Sequence, residues 1–367
     1  MIGAGLAGLA AAERLLDDGA QVVVVDAFPR PGGRVANFDV STHVAGLIPG
    51  DVVEHGLHAW FQHYTGVYGL MARAGLPKPP FAGRGVHLWH PEAQHVTIPG
   101  GPFVWLLNAL RLPRGLRGSR RAALQAFGRL IAYLDFALEH PSLSDRESAA
   151  ELFARMGVPE EAVRSVFAPC MYSLTSLPLA ELSALEMLRW MAAIIPDPRI
   201  RVLQGGGSSA MCEPIMRGLR ARGADFRLGV EVHRLRTDAS GRVHAELERA
   251  PDRTGLRHVL VPGFEPAEPP RPEQFDAIVC TLPWERLWAL CQDDSTLASL
   301  PALARLRELR NVHPLTIRLW FERPIQGAQE RYTLTLGTLF DVLRPTPEPE
   351  RYDGVRLIDA LVEDVDR

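Results

Sequence analysis

The stretch Gly3-Ala4-Gly5-Leu6-Ala7-Gly8, continued by Val22-Val23-Val24-Val25-Asp26 and then by Gly32-Gly33-Arg34, decides the fold. Residues 6–18 read as an Ala/Leu-rich helix, with Gly19 placed for a left-handed C-cap. Residues 21–26 are almost wholly apolar, as in a strand from the middle of a parallel sheet. The opening is therefore one β-turn-α-β unit. Its glycine turn (Gly3, Gly5, Gly8, with Leu6 and Ala7) lets backbone N–H groups approach a pyrophosphate at a helix N-terminus, where the helix dipole favours negative charge. Asp26, followed by Ala27, is placed to accept hydrogen bonds from a ribose. Gly32 and Gly33 let the chain turn back over the pyrophosphate, and Arg34 adds a charge-assisted contact. This second glycine pair points to FAD rather than NAD(P).

Working outward, 367 residues with 47% hydrophobic and 23% charged side chains suit a globular chain of more than one domain. The net charge of −3 predicts no bulk attraction to nucleic acid or to anionic lipid. Lys78 is the only lysine among 40 basic residues, a bias better ascribed to coding composition than to function. Cys170, Cys212, Cys280 and Cys291 form no C-x-x-C pair and read as free thiols of a reducing compartment. No uninterrupted apolar run reaches the roughly 18–20 residues of a spanning helix, so the expectation is a cytoplasmic protein. His55, His58 and His63 lack the carboxylate or thiol partners that a metal site needs, and no metal is expected.

Residues 63–74 read as a helix ended by Gly75 and the Pro77/Pro79/Pro80 cluster. The stretch 102–139 joins an apolar segment around Trp105 to several arginines and a helical repeat of Leu124, Phe127, Leu130, Ile131, Leu134 and Leu138. It suits either a peripheral membrane contact or a helix packed on its own core. Ser144 with Glu147 offers a capping box, and 160–195 reads as helical, so 63–200 is expected to be largely α. Gln204-Gly205-Gly206-Gly207-Ser208-Ser209 leads into a helix over 210–222. Strands are expected at 225–236, 242–249, 257–262, 276–283, 316–321 and 333–339. The fold class is α/β: a Rossmann-like FAD/NAD(P)-binding domain of the glutathione-reductase type from 1–62 and 200–295, with an α+β substrate domain from 63–199 and 296–367.

Residues 3–34, followed by Glu54-His55-Gly56-Leu57-His58-Ala59-Trp60-Phe61, resemble the carotenoid desaturases of the plant and cyanobacterial type. These belong to the wider FAD-dependent amine oxidase and phytoene dehydrogenase superfamily. The resemblance implies that Gly56, Leu57 and His58 lie near the flavin ring. It also implies that 204–235 makes a second flavin contact, with the backbone around Val232 meeting the adenine. Two departures stand out. The family usually has Glu where Asp26 stands and often Arg where Phe28 stands, and it ends in a Gly-rich segment and helix that this chain lacks. With only Met1 and Ile2 before the glycine turn, the expectation is a chain truncated at both ends that holds FAD poorly.

The function implied is hydride transfer from an activated C–H of a hydrophobic isoprenoid to flavin N5, a desaturation in which the cofactor carries the chemistry. The expected partner is a hydrophobic small molecule, with a peripheral membrane contact through 102–139 and no nucleic acid. No general base is evident, and neither the oligomeric state nor the electron acceptor can be read. Other readings stay open: an amine or porphyrinogen oxidase of the same fold, an isoprenoid isomerase or squalene-pathway flavoprotein, and a non-catalytic truncated remnant.

Overall fold

In the computed structural model the residues described are 1–39, 52–54, 58, 60–81, 85–90, 94–99, 120–194, 197, 199–203, 206–250, 275–310, 315–320, 333–335, 342–345 and 357–362. The chain divides into two compact units. One comprises Met1–His55, Gly66–Lys78 and Leu203–Asn311; the other comprises Gly56–Thr65, Pro79–Val202 and Val312–Arg367. Helix Thr65–Arg73 thus falls largely in the first unit, where the sequence reading had it in the substrate domain. An ion pair explains why. Arg73 donates through Nε (2.9 Å) and Nη2 (2.6 Å) to the buried Glu13 carboxylate on the first helix, and a buried carboxylate is stable only when so paired.

The first unit is built on a parallel sheet. Strand Val23–Asp26 pairs in parallel with Asp225–Leu228, and on its other side Ile2 bridges both Val25 and Cys280. Among the described residues, the segment expected as a strand at 276–283 meets the sheet there, through Ile2 N–H to the Val279 carbonyl and Thr281 N–H to the Ile2 carbonyl, each 2.9 Å. Helix Leu6–Asp17 buries Gly8, Leu9, Ala12 and Glu13, a one-sided stripe at helical spacing. It ends at Gly19, whose φ of +82° is the left-handed conformation the sequence suggested.

The Val230–Thr237 strand buries Val230 and Val232 but then Leu235, so its period-two alternation changes phase. The ladder with Val243–Arg249 accounts for this. Leu247 faces Val232 while Glu246 faces Arg234, leaving His233 as the extra residue of a bulge. All three apolar side chains therefore reach one core, with Ile2, Val25, Leu290 and Leu297.

The second unit packs helices Arg120–Glu139, Ala149–Arg155 and Ala184–Ile194 around Leu130, Leu152, Phe153, Met187 and Leu188. All five bury nearly all of their surface, each contributing about 2 kcal/mol of hydrophobic stabilisation. The region 63–200 is less helical than expected. It contributes an antiparallel hairpin, Gly85–His90 with Gln94–Pro99, to a six-stranded mixed sheet. The other members are Leu315–Trp320, Thr333–Thr335, Val342–Pro345 and Leu357–Val362, with Thr333–Thr335 parallel to Gly85–His90. The expected strand at 257–262 and the apolar segment 102–119 lie outside the described residues.

The capping box is one turn later than the sequence reading placed it. Ser144 ends the short helix Pro141–Ser144, where it is buried with its hydroxyl 3.4 Å from that of Tyr133. The box is Ser148 with Glu151: Ser148 Oγ accepts the Glu151 N–H, and Glu151 accepts the Ser148 N–H at 2.8 Å. The Ser148 backbone N–H, followed by its hydroxyl, holds the Glu151 pKa below the usual glutamate range. A folded pKa below the unfolded one gives stability present at neutral pH and lost as pH falls through the folded value. Ser148→Ala removes the N-cap acceptor and should leave the protein with a stability deficit at pH 7. Thermal melts should show that deficit narrowing in acid; a deficit independent of pH would refute the assignment.

Candidate cofactor site

The glycine turn is assembled from both ends of the first unit. Gly3 N–H donates to Val25 (2.8 Å), and Thr281 Oγ1 donates to the Ile2 carbonyl (3.0 Å), which pins the chain as it leaves the sheet. Gly3 has φ +104°, and a Cβ there would stand 2.7 Å from Thr281 Oγ1. A Cβ on Gly8 would stand 1.9 Å from the Gly3 carbonyl oxygen, so Gly8 is needed for the helix to rise directly off the turn. Gly5 differs. Its Cβ would have ordinary contacts with Gly32 O (3.8 Å) and Gly33 Cα (3.9 Å), so nothing fills the space its side chain would take.

Opposite Gly5 the chain returns. Gly32 N–H donates to the Ala4 carbonyl (2.9 Å), Gly5 bridges Gly32, and Gly32 (φ +131°) and Gly33 (φ +55°) start the short helix Gly33–Val35. Arg34 is exposed on that helix. Among the described residues no side chain caps helix Leu6–Asp17, and its first turn holds no acidic residue. The N–H groups of such a first turn have no partner within the helix and the dipole makes the end positive. A cradle of glycine backbone against an uncapped helix start fits a pyrophosphate.

At the adenosine end, Asp26 accepts the Ala4 N–H at Oδ2 and the Phe28 N–H at Oδ1, each 2.7 Å. Burial raises its pKa, outweighing these two bonds, which act to lower it. Ala27 is exposed, and Phe28 lies edge-on to Phe38 with ring centroids 5.6 Å apart. Val232 is 5% exposed, its side chain in the core, so only its backbone is left for an adenine. Gly56 and Leu57 lie outside the described residues, and His58 is half-buried.

The sequence reading gave no part to Asn37, which the structure buries completely. It accepts the Ser209 N–H (3.3 Å) and donates to Ser209 Oγ (3.4 Å), tying the segment after Gly33–Val35 to the start of the π-helical turn Ser208–Cys212. Gly206 and Gly207 allow that approach. A Cβ on Gly207 would stand 2.2 Å from the Val35 carbonyl oxygen. The signal was present as Gly205-Gly206-Gly207, but its partner, 172 residues earlier, was not readable.

Within the second unit, Trp60–Phe61 pairs with Ile200–Arg201 and opens an aromatic cluster. His63 stacks on Phe61 (5.7 Å) and meets Tyr64 (4.8 Å) and Trp190 (6.2 Å) edge-on. Burial lowers the His63 pKa against a hydrogen bond to the Ala193 backbone. Its Nδ1 and the Trp60 Nε1 are buried without a hydrogen-bond partner among the described residues. Burial pushes the thiols of Cys170 and Cys212 up to about 12, so neither is a nucleophile at neutral pH.

The chain matches the family of flavin containing amine oxidoreductases over residues 6–357. It belongs to that family. FAD is accordingly the cofactor that the cradle fits. Among curated relatives, the Probable zeta-carotene desaturase of Synechococcus elongatus is 28% identical over 66% of this chain and 52% of its own length. The zeta-carotene desaturase of Synechocystis is 27% identical over 65% and 50%. The 15-cis-phytoene desaturase of an Oncidium hybrid is 24% identical over 93% and 55%. The chain thus spans about half the length of the curated relatives it matches. Among solved structures, an oxidoreductase from Methanosarcina mazei has a TM-score of 0.69 at 15% identity, covering 100% of this chain and 78% of its own. Putrescine oxidase has a TM-score of 0.64 at 18% identity, covering 99% and 75%. These likenesses show the fold. Among the described residues no helix is long and apolar enough to cross a membrane.

Proposed function

We propose that this chain is an FAD-dependent oxidoreductase that desaturates a hydrophobic, carotenoid-like isoprenoid. The observation that carries the reading is the uncapped start of helix Leu6–Asp17 facing the Gly32–Gly33 turn. Bound FAD supplies a two-electron acceptor for a C–H bond of the substrate. The chain's part is to hold the cofactor's diphosphate on the backbone of Gly5, Leu6, Ala7, Gly8, Gly32 and Gly33, with Arg34 adding charge. We assign Asp26 and Ala27 to the adenosine end and the Val232 backbone to the adenine, while Gly56, Leu57 and His58 keep the flavin-ring role that the resemblance implies. The names of the relatives favour a polyene, and the aromatic character of Trp60, Phe61, Tyr64 and Trp190 suits an apolar guest.

A polyene this insoluble is met at a membrane surface. Exposed Ile131, Phe136, Leu138 and Leu143, on and just after helix Arg120–Glu139, support a peripheral contact through 102–139 from the cytoplasm. The test is anaerobic. FAD-loaded protein is mixed with liposomes carrying zeta-carotene or phytoene, or with putrescine, and the oxidised-flavin absorbance is followed. Bleaching by a polyene and not by the amine is expected. Bleaching by putrescine alone would overturn the substrate class, and a protein that takes up no FAD would overturn the whole reading.

A further inference from the structure

The short ladder of Trp60–Phe61 with Ile200–Arg201 gathers hydrogen-bond donors in excess of acceptors. Arg201 pairs with Trp60 on one side and bridges Phe81 on the other, so these three side chains share one face of the backbone. The Arg201 guanidinium lies 3.7 Å from the Phe81 ring centroid. It donates through Nη1 to the Pro79 carbonyl at 2.6 Å and through Nε to Gln62 Oε1 at 3.1 Å. Both acceptors are neutral, and Nη2 has no bond among the described residues. The neighbouring carboxylate, Asp197, is taken by Arg199, which donates to it through Nε at 2.8 Å and Nη2 at 2.6 Å. Among the described residues no carboxylate forms an ion pair with Arg201, so the two arginines and one aspartate carry an excess positive charge.

Trp60 adds an indole N–H on the same face. The residue is 4% exposed, and its Nε1 is buried without a hydrogen-bond partner among the described residues. Indole and guanidinium are donors only, so neither can satisfy the other. Buried donors are paired as a rule, and an exception beside an uncompensated cation calls for an anionic acceptor. A carboxylate matches. It brings one negative charge against the excess positive one, and two oxygens for the Nη2 fork and the indole N–H. The surroundings select an apolar carrier for it: Phe81 covers the guanidinium, and Tyr64 lies edge-on to the Trp60 ring at 6.3 Å. A hydrocarbon polyene offers these donors nothing.

We propose that Arg201 and Trp60 hold the carboxylate of an apolar organic acid, of the long-chain or polyene type, at a binding site within the second unit. The site goes beyond the flavin reading and does not depend on it, since all of its residues belong to that unit.

The test titrates the full chain with parinaric acid, a conjugated polyene acid whose fluorescence rises in apolar sites, and with its methyl ester. Wild type, Arg201→Gln and Trp60→Phe are compared at pH 7.5, with circular dichroism showing each folded. Wild type should bind the acid about tenfold or more tighter than the ester, as a charge-assisted contact requires. Each variant should weaken the acid about fivefold or more and leave the ester within about twofold. Equal affinity of wild type for acid and ester would overturn the proposal, showing an apolar surface without a head-group end. A preference for the acid that survives in both variants would overturn it too, placing the anion elsewhere. If Arg201→Gln does not fold, having lost its links to Pro79 and Gln62, Trp60→Phe decides, because it keeps a ring and removes only the N–H side of the indole. FAD uptake is followed on the same samples. A wild-type chain that prefers the acid but takes up no FAD removes the flavin reading and supports this site; one that takes up FAD and binds acid and ester alike does the reverse.

Discussion

Gly5→Ala should leave the apoprotein folded and weaken FAD binding severely, whereas Gly8→Ala should unfold the first unit. The two glycines belong to one turn and differ in what a methyl group would meet. At Gly5 the backbone has φ −73° and ψ −179°, open to any residue, and the nearest atoms to an added Cβ are 3.8 and 3.9 Å away. Those atoms are Gly32 O and Gly33 Cα, so the methyl projects into the cradle where a phosphate would lie. Loss of close backbone approach at an anion site should weaken FAD by about a hundredfold or more, close to 3 kcal/mol. The apoprotein Tm should stay within about 2 °C of wild type, since the contacts are of ordinary van der Waals length.

At Gly8 the added Cβ would stand 1.9 Å from the Gly3 carbonyl oxygen and 3.0 Å from the Gly3 carbonyl carbon. Both are backbone atoms of the turn itself, so no flexible side chain can give way. Overpacking against a fixed backbone should cost about 3 kcal/mol or more, a large share of a marginal stability. Circular dichroism melts and flavin fluorescence titrations of both variants separate the two effects. Gly5→Ala protein that takes up FAD like wild type would show that the phosphates lie elsewhere.

The same contrast shows what a sequence can disclose. Residues 3–34 were readable because each step is local: a helix stripe, a left-handed glycine, an apolar strand, a second glycine pair. Asp26 was found by that logic, yet its hydrogen bonds to the Ala4 and Phe28 N–H groups were not, because they depend on how the glycine turn folds back against the strand end. The capping box was placed at Ser144 and Glu147 when Ser148 and Glu151 carry it. Both pairs have the right spacing, and only the end of helix Pro141–Ser144 decides between them.

The hairpin Gly85–His90 with Gln94–Pro99 was missed for another reason. Its sheet partner, Thr333–Thr335, is more than 240 residues away, and strand pairing over that distance leaves no periodic trace. The bulge at His233 likewise follows from the ladder opposite it and not from the strand's own residues. Within the candidate site, the glycines were legible and the side chains that hold them, Asn37, Ser209 and Thr281, were not.

Gly207→Ala should lower the melting temperature and loosen FAD together, while Gly218→Ala, eleven residues on, should raise the melting temperature and leave FAD alone. A Cβ on Gly207 would stand 2.2 Å from the Val35 carbonyl oxygen and 3.0 Å from Val35 Cβ. The loop must then withdraw from the segment that follows the Gly32–Gly33 turn. Withdrawal breaks the pairing of Asn37 with Ser209, whose bonds are 3.3–3.5 Å, at a fully buried side chain. Losing a buried hydrogen bond costs about 0.5–1.5 kcal/mol, and displacing Val35 moves the wall of the cradle as well. Gly218 lies within helix Glu213–Ala221, and nothing stands within 4 Å of its added Cβ. Alanine there gains up to about 1 kcal/mol of helix propensity without touching the loop. Measuring the two variants side by side separates a general intolerance of added methyl groups from a specific contact. If Gly207→Ala melts like wild type, the packing of residues 206–209 on Val35 and Asn37 is not what holds the second glycine loop in place.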